Sequence, residues 1–222
     1  MTAQEIKTRF LLLYDKVASL SAPGYEDSEI SEFLNIAQES EFLEVVEGIK
    51  KRGFDFNERR KKDLASIVKQ ATLSESANQS IALPNGFLFD IPEEVAFVIS
   101  ESVTVTSTNS CLDNKTLNIL PYTHDEYRAN INNPFKKPED SCWRLDTDNR
   151  HELILPPNCT PSQYVIRYLK KPIKIDIDND VTSELGIYFI GNIINRAVSI
   201  ATGVTVPSEY QIKIIEENKM NK

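Results

Sequence analysis

Hydrophobic periodicity changes twice along the chain, and this double change limits the folds open to it. The first 71 residues carry apolar side chains at helical spacing, residues 81–175 are rich in β-branched and aromatic residues, prolines and turn dipeptides, and residues 183–203 return to a helical stripe. A single C-terminal amphipathic helix must bury its apolar face, and helices at the other end of the chain are the most economical partner. The expected fold is therefore α+β: a discontinuous helical bundle, made of N-terminal helices plus a C-terminal helix, with an inserted mainly antiparallel β-domain. The expected boundaries are 1–80 for the N-terminal helical bundle, 81–175 for the β-domain and 176–222 for the C-terminal helices returning to the bundle.

Local signals place the elements. Thr2 and Glu5 form a capping box ahead of Ile6, Phe10, Leu13, Val17 and Leu20, and Pro23 with Gly24 ends that helix. A second helix is expected from Asp27 or Ser28 to about Arg52; its apolar face turns at Glu39, Ser40 and Glu41, where either the helix bends or its two halves bury against different neighbours. A third is expected after Asn57 as N-cap, burying Leu64, Ile67, Val68 and Ala71. Strands are expected at 86–90, 102–108, 116–120, 142–146, 152–155 and 163–169, with turns at Asp113-Asn114 and at 146–149. Thr123 and Glu126 form a second capping box, predicting a short helix over 124–131. The last long helix is expected from Thr182 or Ser183 to Gly203, with Ile187, Ile190, Ile194, Val198 and Ala201 on one face, followed by a short turn carrying Tyr210, Ile214 and Ile215 and a frayed tail.

Charge and motif content exclude several classes. With 25 basic and 33 acidic residues the chain has a net charge of −8, poorly suited to a generic binder of nucleic acid or anionic membrane. No apolar run approaches the roughly 20 residues of a membrane span, and the N-terminus has no basic region of a secretory signal. Cys111, Cys142 and Cys159 are odd in number and widely spaced, which argues for reduced core thiols. No glycine-rich phosphate loop, nucleophile elbow or paired-histidine zinc motif occurs. His124, Asp125 and Glu126 are adjacent and so point to different helical faces. Asp176, Asp178 and Asp180 begin like a calcium loop, but Val181 and Ile187 stand where that loop needs glycine and glutamate. A solvated turn near a helix N-terminus fits them better. No cofactor and no metal are expected, and an enzyme would need a scattered pocket collecting His124, Cys142 and carboxylates.

Two features point to interactions. Residues 26–47 hold eight acidic side chains and no basic one, including Glu41, Glu44 and Glu47, whereas residues 50–62 hold seven basic ones, including Arg59, Arg60, Lys61 and Lys62. Three readings fit this segregation. The charges neutralise each other in an intramolecular hairpin, worth little per exposed pair, or they form complementary patches that set register between protomers of a ring, or, third, the basic corner binds DNA. Residues 121–145 crowd Tyr122, Tyr127, Phe135, Trp143, Lys136, Lys137, Arg128 and Arg144 into a proline-broken stretch, which suits either an interface anchor or a plug for the β-domain's own core.

The run Thr123-His-Asp-Glu-Tyr-x-x-Asn-Ile-Asn-Asn-Pro-Phe-Lys-Lys-Pro138, followed by Trp143-Arg144-Leu145, resembles structural proteins of crAss-like tailed bacteriophages. So do Leu12-Leu-Tyr-Asp-Lys-x-x-Ser19, Gly24-Tyr-Glu-Asp-Ser-Glu-Ile30 and Tyr164-Val-Ile-Arg-Tyr-Leu-Lys-Lys-Pro172. The resemblance implies a non-catalytic, adaptor-type protein of the head-to-tail connector or tail barrel. It implies a homo-oligomeric, dodecameric ring surrounding the channel through which DNA leaves, linking portal to tail. Its expected partners are copies of itself and the portal or adjacent tail ring proteins, with DNA passing nearby without specific binding and no membrane. The expected location is the neck or tail of the virion, after assembly in the bacterial host cytoplasm. The expected contact residues are Glu41, Glu44, Glu47, Arg59, Arg60, Lys61, Lys62, Tyr127, Phe135, Lys136, Lys137, Trp143 and Arg144. The alternative is a non-catalytic, monomeric protein-binding module.

Overall fold

A computed structural model of the chain describes residues 1–18, 24–52, 62, 64–108, 111–133 and 135–205. The chain divides into two compact units, one made of Met1–Ile67 with Pro172–Lys222 and the other of Val68–Lys171. The fold is α+β, with a mostly antiparallel sheet inserted between N-terminal helices and a C-terminal helix.

In the helical unit, α1 (Ala3–Ala18) and α2 (Asp27–Arg52) both pack with α4 (Ile187–Thr205), α1 and α2 being further tied by side chains described below. The first capping box forms as expected: Glu5 N donates to Thr2 Oγ1 at 3.2 Å and Thr2 N to Glu5 Oε2 at 3.0 Å. Ile6 and Phe10 of α1, Ile30, Leu34 and Ala37 of α2, and Ile194, Val198 and Ala201 of α4 are buried. Tyr25 joins α1, α2 and α4. Its ring lies 5.2 Å from Tyr14 and 5.0 Å from Phe33, and its hydroxyl donates to Ala201 O at 3.1 Å. Lys7 pairs with Asp27 at 2.6 Å across α1 and α2.

The polar edge of α2 has a separate task. Ser31, Asn35 and Gln38 recur at helical spacing and hold the extended segment 173–177. Asn35 donates to Ile175 O at 2.9 Å and accepts from Ile175 N at 2.7 Å, imitating one rung of a β-ladder with its side-chain amide. Gln38 donates to Ile173 O at 2.7 Å, and Ser31 Oγ accepts from Ile177 N at 3.1 Å. The aspartate-rich stretch after it is a turn closed by a bridge between Asp176 and Val181. Asp180 accepts from Ala3 N at 3.2 Å, so this carboxylate serves the positive end of α1.

The other unit is a seven-stranded sheet ordered β1-β7-β3-β4-β5-β6-β2. Its strands are β1 (Val68–Leu73), β2 (Gly86–Asp90), β3 (Val95–Ser107), β4 (Lys115–Pro121), β5 (Ser141–Thr147), β6 (Arg150–Ile154) and β7 (Cys159–Lys170). All neighbours are antiparallel except β4 and β5. The sheet curls until its ends meet. Ser76 N donates to Leu88 O at 2.7 Å, Glu75 bridges Phe89, and the Gln79 side chain bonds both backbone groups of Leu88. Val103, Val105, Leu117, Cys142, Leu153, Tyr164 and Ile166 form one buried cluster of this unit.

Several sequence expectations shift, among them the strand expected at 102–108, since β3 already begins at Val95. Of the helix expected over 57–71, the described residues Lys62 and Leu64 are helical, residues 65–67 form a turn, and β1 begins at Val68, where it pairs with β7 in register Val68–Leu169. Cross-strand pairing there outweighs a weak, short helical pattern. Asn57 lies outside the described residues. The last helix starts at Ile187, after the 176–181 turn, and Ile187 itself is exposed. Leu20 and the segment with Tyr210, Ile214 and Ile215 lie outside the described residues. Cys142 and Cys159 are buried as expected, but Cys111 is exposed.

Asn35→Ala strips both partners from the buried Ile175 backbone and is expected to cost about 2–3 kcal/mol, read as a lowered midpoint in urea unfolding. Gly86→Ala places a methyl 2.8 Å from Leu83 O and 2.7 Å from Glu152 Oε1. The crowding is expected to destabilise by about 1–3 kcal/mol in the same assay.

Candidate interaction surface

A parallel strand pair requires a crossover connection, and between β4 and β5 that crossover is α3 (His124–Asn130) with the loop behind it. The Thr123 and Glu126 capping box is complete, Glu126 N donating to Thr123 Oγ1 at 3.2 Å and Thr123 N to Glu126 Oε2 at 2.8 Å. The two bonds from Thr123 hold the Glu126 carboxyl below its usual value. One buried face of α3 meets the sheet through aromatic contacts. Trp143 stacks on Tyr122 at 4.7 Å and meets Tyr127 edge-on at 6.2 Å, over Leu145 and Ile154. A cavity of about 140 Å³ lies beside them, lined by Tyr127, Ile131, Trp143 and Ile154 among others.

This platform carries the loop 131–140. Asn133 shapes its tip, accepting from Phe135 N at its side-chain oxygen (3.0 Å) and from Lys136 N at its carbonyl (3.1 Å). Pro138 is buried, but Phe135 is 95% exposed, with Lys136 and Lys137 exposed beside it. A structured turn that holds an aromatic ring in water is the arrangement found at interface anchors.

Strand alternation puts a polar group of five on the other face of β5. Arg144 Nη1 donates to Glu101 Oε1 at 2.7 Å, and Tyr164 Oη donates to Glu101 Oε2 at 2.7 Å. Because the Tyr164 proton is committed to Glu101, His151 Nδ1, 2.7 Å from Tyr164 Oη, carries the proton of that bond. Arg144 Nε lies 2.9 Å from Asp146 Oδ1, and His151 Nε2, 3.6 Å from the same oxygen and without a proton in the neutral ring, makes no hydrogen bond to it. Burial alone would lower the Arg144 pKa, but Glu101 and Asp146 overcome it and raise it. Burial and the Arg144 charge push His151 down to about 4, against a smaller opposing effect of Asp146. His151 is thus neutral inside the fold at neutral pH.

The expected contact residues divide between different environments. Tyr127 and Trp143 are buried, and Arg144 is drawn into the ion pairs. Phe135, Lys136, Lys137, Glu44, Glu47 and Lys62 are exposed. Glu41 is buried, and Arg196 of α4 reaches both it (3.3 Å) and Glu44 (3.1 Å). Arg59, Arg60 and Lys61 lie outside the described residues. The Cys142 thiol donates to Trp143 O, and burial raises its pKa, the reverse of an activated nucleophile. His124 Nε2 contacts Asp146 O at 3.0 Å. Among the described residues no group of three or more His, Cys, Asp or Glu is placed to hold a metal, and no helix is long and apolar enough to cross a membrane. Sequence reasoning missed Glu101, His151 and Tyr164 as a group, because three different strands bring them together.

The His151 shift sets a pH dependence. An unfolded histidine protonates below about pH 6.5, whereas the folded one resists to about 4. Its contribution is therefore complete above pH 6.5 and is lost as pH falls toward 4, a change on the order of 3 kcal/mol. His151→Gln should show a flatter loss of unfolding free energy between pH 6.5 and 4.5 than the parent. Identical slopes in the two proteins remove this account.

Comparison with known proteins places this architecture. The family described as phage tail ring protein 3/4 matches residues 1–202. A relative described as ring protein 4/5, from Bacteroides phage crAss001, is 29% identical over 196 residues, covering 84% of this chain and 79% of the relative. A match over nearly the whole length spans both units, and the chain belongs to the phage tail ring protein 3/4 family, the structural ring components of the virion tail.

Proposed function

We propose that copies of this chain close into a ring around the channel through which DNA leaves the particle, and that the ring joins the portal side of the tail to neighbouring ring proteins. The family match over residues 1–202 carries this reading. The resemblance noted in the sequence implies a dodecamer. The net charge of −8 supports a channel that lets DNA pass, because phosphates find few cations to displace their counterions.

Neighbours in such a ring meet through two different patches, and charge fixes which patch meets which. Arg196 engages Glu41 and Glu44, while Glu32, Glu39 and Glu47 on α2 face solvent. The basic residues Arg59, Arg60, Lys61 and Lys62 are the proposed lateral counterpart of the side of this helix that carries Glu41 and Glu44. Buried Tyr127 and Trp143 support the contact loop from within, and Phe135, Lys136 and Lys137 are its outer face.

The purified chain, or the tails that contain it, should show closed annular oligomers by mass photometry and electron microscopy. Reversing Arg59, Arg60, Lys61 and Lys62 to glutamate should weaken assembly with circular dichroism unchanged. Unchanged assembly removes this lateral contact. A protein that is monomeric at every concentration and solitary in the tail removes the ring.

A further inference from the structure

The helix α2 carries an exposed stripe that makes no ion pair among the described residues. At 100° per residue, Glu32, Ile36, Glu39, Leu43 and Glu47 fall within an arc of about 80°. Ile36 is 45% and Leu43 54% exposed, and the three glutamates are exposed around them. The tip of the loop 131–140 is its chemical complement. It displays one large apolar ring, Phe135, next to two exposed cations, Lys136 and Lys137. Among the described residues none of these five charges has an ion-pair partner.

We infer that the Phe135 tip of one copy docks on the α2 stripe of the next copy, Phe135 lying between Ile36 and Leu43 and Lys136 and Lys137 facing Glu32, Glu39 and Glu47. This contact rests on the ring reading and names a second seam within it. The spacing fits. Ile36 and Leu43 are seven residues apart, about 10 Å along the helix axis, leaving a shallow apolar site about one aromatic ring long. The charges fit as well, with two cations beside the ring and three carboxylates beside the site. The contact is also heterologous: the patch that gives differs from the patch that receives. Repetition of such a contact produces a closed ring or an open helix instead of a two-fold pair. Apolar insertion supplies the anchor, and the charges supply register and exclude a loop-to-loop or helix-to-helix match.

The test is a charge exchange in the full-length chain, read by mass photometry over a concentration series, with circular dichroism as the control for folding. Lys136→Glu with Lys137→Glu places like charges across the contact, as does Glu32→Lys with Glu39→Lys. Each pair alone is expected to raise the concentration for half-assembly at least about tenfold. The four substitutions together should bring it back to within about threefold of the parent. Phe135→Ser should weaken assembly at unchanged charge. A second readout uses a Cys111→Ser background with Phe135→Cys and Leu43→Cys: oxidation of assembled tails should give a ladder of linked copies. Charge pairs that leave assembly intact, an exchange that fails to restore it, or linkage of Phe135→Cys only to itself overturns the contact while the ring stands. A parent that forms no oligomer in solution or in tails removes the ring reading, and the contact with it.

Discussion

The chain leaves the helical unit before β1 and must re-enter it after β7, and the grip of α2 on the returning strand makes that re-entry specific. Ser31, Asn35 and Gln38 offer hydrogen-bonding groups in the order in which an extended backbone presents its own. A purely apolar helix would hold such a segment loosely, since hydrophobic contact has no direction. A one-residue slip of segment 173–177 would separate Asn35 from both its partners and turn Ile175 and Ile177 away from their buried positions. The placement of α4, which supplies the third face of the helical unit, follows from this register.

The interior of the sheet shows a different compromise. Most of it is apolar, yet it holds Glu101, Arg144 and His151 almost out of water. Burying an ion pair seldom adds net stability, because desolvation offsets attraction. What it adds here is mutual dependence. Glu101 on β3 accepts from Arg144 on β5 and from Tyr164 on β7, and Tyr164 in turn meets His151 on β6, so an alternative strand register would orphan several polar groups at once. The neutral state of His151 belongs to the same arrangement, since a second cation beside Arg144 would have to share the two carboxylates.

Much of this was legible along the chain, and the legible parts share a cause. The capping boxes at Thr2 and Thr123, the span of α2, the five residues of β2 and the turns near Asn114 and Asp148 rest on contacts a few residues long, which local sequence encodes directly. β1 was misread because the spacing of Leu64, Ile67, Val68 and Ala71 satisfies a helix, while the partner that makes it a strand is about a hundred residues away in β7. The polar group around Glu101 and the amide ladder were invisible for the same reason. Of the aromatic stretch 121–145, composition named the residues but could not say that Trp143 turns inward and Phe135 outward. That division depends on the pleat of β5 and on the turn that Asn133 shapes.

The seam where Ser76 and Glu75 join β2 bears on life in a crowd. In the ring proposed above, identical protomers would stand at a local concentration where an unpaired strand invites its twin, toward cross-β polymer in place of a bounded assembly. Joining the two ends of the sheet there narrows the backbone open to such pairing. Contacts made through side chains can then be retuned one at a time without disturbing the scaffold beneath.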